Sequence, residues 1–201
     1  MSDTGPDTLE GILAHITALW QDAVRNRHSA LHTPVVCTIA DATPAPRIMV
    51  LRAVSPDVSG FRFHTDARSP KATQIADNAP VSLLGYDPAS RIQLTVQGHG
   101  QIEQTSALAE QAWVASALSS RRCYLAAHAP GTPVDRALSG IPDELIHRAP
   151  TAEESMAGRA NFAILRVEAT QLDWLKLTSC GNRRARFTRV DGVWRGTWIT
   201  P

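Results

Sequence analysis

The chain has 201 residues and a formal net charge of +1 at neutral pH, with 43% hydrophobic and 19% charged residues. That length supports a core able to fold unaided, and one domain is the default. A near-neutral chain gives no electrostatic reason to bind nucleic acid, no apolar run is long enough to span a bilayer, and the opening MSDTGPDTLEG lacks the basic and apolar regions of a signal peptide.

In chain order, residues 7–25 place Leu9, Ile12, Leu13, Ile16, Leu19, Trp20 and Ala23 on one helical face, with Asp7 and Glu10 spaced as a capping box. Five short β-rich runs follow, over 34–41, 46–54, 61–65, 80–86 and 91–103, and Pro44 and Pro46 mark a turn before the second. Their connections are too short for crossover helices, so they pair antiparallel. Residues 105–118 read as a helix capped by Thr105 or Ser106, and 119–160 as proline- and glycine-punctuated loop with short helices. Glu153 and Glu154 read there as a solvated helix face. Two more strands, 161–169 and 172–178, precede a terminal hairpin turning at Asp191-Gly192 in a type I′ turn. About eight strands with three or four helices predict a mainly β chain, an antiparallel barrel, closed or partly closed, with flanking helices.

Cys37, Cys123 and Cys180 are odd in number and far apart, and neither they nor the seven histidines show metal-ligand spacing. A reduced, cytoplasmic protein without a structural metal is expected. Only Lys71 and Lys176 are lysines; the other basic residues are arginines, a bias that base composition alone produces or that reflects phosphate ligands.

The densest chemistry lies in FHTDARSPKATQI, residues 63–75. Ser69 suits an N-cap and Pro70 the first helical position, so backbone N–H groups, the Lys71 ammonium and the Thr65 and Ser69 hydroxyls gather donors suited to an anion. On spacing alone the same residues also read as a solvated helix cap. One strand earlier, RIMVLR puts Arg47 and Arg52 at the ends of an apolar segment, and Arg47 with Lys71 supplies the two cations that a phosphate dianion needs.

Taken in order, RIMVLR, FHT, SPKATQI, NAPVSLLGY and IQLTVQG resemble the pyridoxamine 5′-phosphate oxidase family of FMN-binding split barrels. The resemblance covers about residues 30–105 and weakly the C-terminus. It implies a Greek-key, antiparallel split β-barrel. That is one domain over 1–201, with an N-terminal helix at 1–28, a flavin-binding core at 34–104, helices and loops at 105–160 and C-terminal strands at 161–201. It further implies a homodimer with FMN at the subunit interface. Arg47 and Lys71 would grip the flavin phosphate with Ser69 and Arg68 near it, and the backbone of Ile48, Met49, Val50 and Leu51 would run along the isoalloxazine ring. His64 and Thr65 would sit by the ribityl chain or ring and Gln93 at the ring's polar edge, while Trp174 and Arg186 would approach from the partner subunit.

The departures fall in the substrate half. Pro70 stands where the family's oxidases place a cation, and Arg68 lies two residues earlier. Where those oxidases carry R-x-H-D-R, this chain reads NRRAR, residues 182–186, with Arg184 at the histidine position and Asn182 at the first arginine. Arg52 takes the place of a substrate-phosphate lysine, and Trp113 that of a tyrosine, with Arg121 or Arg122 as its cation. Arg52 and Arg184 are therefore the candidate substrate ligands, and no side-chain general base stands out. The resemblance implies an FMN-dependent oxidoreductase acting on a small molecule. A true pyridoxamine or pyridoxine 5′-phosphate oxidase and a non-catalytic flavin-binding protein are the alternatives.

Overall fold

A computed structural model describes residues 6–75 and 79–201. Helix α1 (Leu9–Arg25) buries Ile12, Ile16, Trp20 and Ala23, the stripe that its periodicity predicts. Its cap is Thr8, whose hydroxyl accepts from the Gly11 N–H, rather than an Asp7–Glu10 box. Asp7 instead pairs with Arg183 at 2.9 Å. The helix stops at Arg25, short of the expected boundary at 28, and the Asn26 N–H closes its last turn on the Asp22 carbonyl.

Among the described residues the nine strands are β1 (Val35–Ala40), β2 (Thr43–Ile48), β3 (Leu51–Val54), β4 (Gly60–Asp66), β5 (Ala79–Asp87), β6 (Ile92–Glu103), β7 (Phe162–Lys176), β8 (Arg183–Val190) and β9 (Val193–Ile199). Three of them, β2, β3 and β7, differ from the sequence reading. The turn before β2 lies at Asp41 and Ala42, both left-handed at φ 48° and 61°, and not at the prolines. Pro44 and Pro46 lie within β2, at the end of the strand order, where a missing N–H donor is tolerated. The expected strand over 46–54 breaks at Met49-Val50 into β2 and β3. Conversely, β7 is one strand of 15 residues where the sequence suggests two. The hairpin at Asp191-Gly192 forms as expected, with φ 50° and 78°.

The strand order β2-β1-β5-β6-β7-β4-β3, with β8 and β9 continuing from β7, gives a mostly antiparallel sheet. Its two ends, β2 and β3, are joined by only two residues, a reach of about 10 Å from Ile48 to Leu51. The sheet must therefore roll until its edges approach, yet no ladder joins β2 to β3 among the described pairings. This is a split barrel. Its inner face carries Val36, Leu51, Phe61, Phe63, Leu83, Leu94 and Val96, and Trp20 of α1 meets Phe61 edge-on at 5.3 Å. Gly98 marks a close approach of β6 to β7, since a Cβ there would lie 2.0 Å from the Glu168 carbonyl oxygen.

Contacts divide the described chain into two compact units. One holds residues 6–63, 79–100 and 166–201, and the other residues 64–75 and 101–165. The second unit adds helices α2 (Pro70–Gln74), α3 (Ala107–Val114), α4 (Leu118–Arg121) and α5 (Ala152–Met156). Ser106, not Thr105, caps α3. Glu153 and Glu154 are exposed on α5 as expected, and Glu154 also closes a capping box with Thr151 and pairs with Arg148 at 2.7 Å. Ala109, Ala112, Trp113, Phe162 and Ile164 form this unit's core.

Candidate functional site

In the second unit the end of β4 leads into α2 through a tight polar turn. Lys71 Nζ donates to Thr65 Oγ1 and to Ser69 Oγ, each at 3.1 Å. Thr65 and Ser69 are both buried, and their hydroxyl oxygens lie 3.4 Å apart. Ser69 occupies the N-cap position, but its hydroxyl caps no N–H; it donates to the Asp66 carbonyl at 2.7 Å instead. Pro70 takes the first helical position as expected. The result is an ammonium held against two hydroxyls at a short helix start. His64, half-buried, presents its ring edge-on to Phe162 at 5.0 Å.

Arg68 sits in the same turn but is already occupied. Its Nε and Nη2 donate to the two carboxylate oxygens of Asp66 at 3.1 and 2.8 Å, and Nη1 donates to the Ala126 carbonyl at 3.0 Å. The hydrogen bonds to Asp66 hold the guanidinium above its ordinary pKa. Arg68 thus clips the turn to the 126 loop, and its charge is met by Asp66.

In the first unit, Arg47 lies opposite Val36 in the β1–β2 ladder. Its Nη1 donates to Thr38 Oγ1 at 2.6 Å and to the Val36 carbonyl at 3.3 Å. Burial pushes its pKa down, partly offset by the Cys37 thiol. Ile48 is 69% exposed at the end of β2, Met49 donates its N–H to the Pro34 carbonyl at 3.1 Å, and Val50 leads to the fully buried Leu51. This is the split in the sheet, where the chain leaves one edge and joins the other. Leu51 pairs with Phe63 and Ala53 with Arg62, so the exposed Arg52 is the extra residue of a β-bulge. Bulges re-aim side chains and gather beside active sites. Gln93 is half-buried on β6, opposite Tyr86 of β5.

The β7–β8 ribbon holds the remaining residues. Trp174 is buried opposite Ala185, whereas Asp173, directly opposite Arg186, faces the other side of the ribbon. Alternation places Arg184 on the Asp173 side as well. The structure therefore brings Arg184 and Arg186 together and puts Trp174 on the opposite face. Arg184 donates to both carboxylate oxygens of Asp173, at 2.8 and 3.1 Å, and Arg186 donates to Oδ2 at 3.3 and 3.4 Å. These bonds hold the Arg184 guanidinium above its ordinary pKa. The sequence reading missed Asp173. The available signal was register: in a hairpin-like ribbon of L-D-W-L-K against R-R-A-R, the aspartate falls on the arginine face.

The residues considered for a substrate phosphate in the second unit are built into its frame. Trp113 is core, and the Arg121 guanidinium stacks over it at 4.7 Å while donating to Ser155 and the Val114 carbonyl. Arg122 donates to the Leu145 and Ile146 carbonyls at 2.8 and 2.9 Å, pinning that loop. Among the described residues no group of three or more His, Cys, Asp or Glu is placed to hold a metal ion.

The strand order, with its ends at β2 and β3 unpaired among the described ladders, defines a split barrel. Residues 14–104 match the family model described as pyridoxamine 5′-phosphate oxidase, FMN-binding domain. A pyridoxine/pyridoxamine 5′-phosphate oxidase of Anaeromyxobacter dehalogenans (strain 2CP-C) is 35% identical over 81 residues, which is 40% of this chain and 40% of that protein. The match thus spans about two fifths of the curated relative. Among solved structures, a pyridoxamine 5′-phosphate oxidase-related, FMN binding protein from Nostoc punctiforme PCC 73102 aligns over 100% of both chains, with a TM-score of 0.70 and 23% identity. PhzG from Burkholderia lata 383, in complex with tetrahydrophenazine-1-carboxylic acid, aligns over 99% of this chain and 95% of its own, with a TM-score of 0.69 and 18% identity. Both share the fold. Residues 14–104 thus resemble the FMN-binding domain of the pyridoxamine 5′-phosphate oxidase family, and that match supports FMN as the cofactor.

The Thr65, Ser69 and Lys71 set fits that cofactor. One ammonium and two hydroxyls converging within 3.4 Å supply charge and donors for a phosphate ester.

Proposed function

We propose that this chain is an FMN-dependent oxidoreductase, related to pyridoxamine 5′-phosphate oxidase but altered in its substrate half, and that it acts in the cytoplasm as a homodimer. The observation that carries the reading is the Lys71–Thr65–Ser69 cluster in a chain that matches an FMN-binding family. Lys71 and the two hydroxyls hold the phosphate. When bound, FMN supplies the hydride or electron chemistry, and the protein positions and tunes it. Support for an altered substrate half lies in Arg184, at a position where the family's oxidases place histidine, and in its engagement with Asp173.

Support for a homodimer comes from the outer face of the first unit. Cross-strand register aligns Ile48, Val35 and Leu84, with Pro46, Cys37 and Ser82 beside them. Ile48, Leu84, Tyr86 and Ile39 are exposed there, an apolar face of the kind that a partner covers.

The test is the absorption spectrum of the purified chain, followed by titration of the apoprotein with FMN and with riboflavin. A flavin band and a clear preference for FMN are expected, and equal affinity for riboflavin overturns the phosphate assignment. Anaerobic reduction with nicotinamide cofactors and with pyridoxine 5′-phosphate then separates a dehydrogenase from a B6 oxidase. Full reduction by pyridoxine 5′-phosphate overturns the altered substrate half. Sedimentation of Leu84→Glu against the parent tests the dimer face, with dissociation the expected outcome.

A further inference from the structure

The whole chain is nearly neutral, at +1, yet one face of the β7–β8–β9 ribbon is not. The ladders pair Asp173 with Arg186, Arg186 with Thr197, Arg184 with Ile199, and Thr188 with both Gln171 and Arg195. Directly paired residues share a face. That face therefore carries Arg184, Arg186 and Arg195 against Asp173 alone, a surplus of two positive charges, with the hydroxyls of Thr188 and Thr197 among them. The opposite face holds Leu172, Trp174, Ala185 and Phe187, all buried, so the charged face is the outer one.

The Asp173 carboxylate is 6% exposed, while Arg184 and Arg186 remain 32% and 39% exposed. A buried carboxylate is ordinarily matched by one cation; here it anchors two. Each guanidinium has five N–H donors, and Asp173 engages only Nε and Nη2 of each. Long arginine side chains lose rotamer entropy when a ligand fixes them. Here the carboxylate has already fixed both.

We infer that Asp173 is a positioning residue that sets Arg184 and Arg186 as a joined receptor for one oxyanion group, a carboxylate or a phosphate, on a ligand other than the flavin. Calling that ligand the substrate rests on the flavoprotein reading; the anion site itself does not. Arg195, on the neighbouring strand β9 and the same face, adds long-range attraction.

The experiment titrates benzoate and, separately, inorganic phosphate into the full chain labelled with nitrogen-15 arginine, following the guanidinium Nε–Hε resonances. A saturable shift with either probe is the expected result, and the tighter probe identifies the chemical source. Asp173→Asn keeps the shape and removes a negative charge. Simple electrostatics then predicts tighter anion binding, whereas a positioning role predicts weaker binding, by about tenfold, as for a lost charge-assisted hydrogen bond. Asp173→Glu should restore part of the affinity, and Arg184→Gln should weaken it similarly to Asp173→Asn. The inference is overturned if Asp173→Asn binds as tightly as the parent or tighter, or if the parent shows no saturable shift. Melting curves confirm that each variant is folded. The flavin absorption band, read on the same samples, reports cofactor binding independently, so loss of the flavin reading and loss of the anion site are separate outcomes.

Discussion

The 65–71 turn and the β7–β8 ribbon both gather cations, but they hold them by opposite means. In the turn, hydroxyls hold Lys71. In the ribbon, the Asp173 carboxylate holds Arg184 and Arg186. A hydroxyl orients an ammonium without bringing a charge of its own. A carboxylate cancels part of the charge and fixes direction in exchange, which suits a monoanion or a planar group read by geometry. Arg68 shows the contrast within a few residues of Lys71: it is met by Asp66 in a bidentate pair and ends as a structural clip.

The sharpest way to break this comparison is Lys71→Ala. If hydroxyl-held charge serves the flavin phosphate, FMN affinity should fall by about 1.5–3 kcal/mol, roughly ten- to a hundredfold. Riboflavin affinity should hardly move, because riboflavin has no phosphate. Fluorescence quenching with both flavins measures this, and an unchanged FMN affinity means that the turn is only a helix start.

Arg68→Ala is the smaller, complementary change. It removes the bidentate pair and the tie to Ala126, while the Arg68 backbone N–H still donates to Asp66 Oδ1 at 2.8 Å. Arg68 is partly exposed, so the loss should be about 1 kcal/mol, a fall in Tm of roughly 2–4 °C. FMN affinity should stay within about twofold, since one lost solvent-screened contact is worth little. A tenfold loss of FMN affinity without a change in Tm returns Arg68 to the list of phosphate ligands.

How much of this could be read from the sequence depended on whether the deciding interaction was local. The α1 stripe, the Asp191-Gly192 hairpin and the Ser69-Pro70 helix start follow from residues a few positions apart, and each appears where it was expected. The β1–β2 hairpin was misplaced because its left-handed residues are Asp41 and Ala42, with no glycine to mark them, while Pro44 and Pro46 advertised a turn that their place in the strand order makes unnecessary. The split at Met49-Val50 was invisible because the run is uniformly apolar; it is set by which neighbours each half finds. Asp173 was missed for a related reason. Its partners are 11 and 13 residues away across a ladder, and only the register joins them. The resemblance placed Arg68 near the phosphate; its bidentate pair with Asp66, two residues away, is a structural tie that the sequence reading did not draw.

The smallest effect concerns the mirror image of Lys71, a carboxylate held by hydroxyls. Asp57 Oδ1 accepts from the Ser55 and Ser59 hydroxyls, each at 2.7 Å, and from the Ser59 N–H at 3.2 Å. Burial raises its pKa, but the hydrogen bonds from Ser59 and Ser55 outweigh burial and lower it to about 2. Arg189 lies 3.4 Å from Oδ2, and Trp194 Nε1 donates to the Asp57 carbonyl at 2.7 Å, so the β3–β4 turn is tied here to the β8–β9 hairpin. A depressed carboxylate pKa contributes stability that is fully present above the unfolded value, near 4, and is lost as pH falls through the folded value. The window is therefore about pH 4 down to 2. Asp57 is half exposed, so screening holds the contribution to under about 1 kcal/mol. Urea unfolding at pH 5, 3.5 and 2.5 should show the parent losing its advantage over Asp57→Asn across that window. Parallel losses in the two proteins at all three pH values mean that the hydroxyls orient this turn without lowering the Asp57 pKa, and that hydroxyl-held charge is not a general device of this fold.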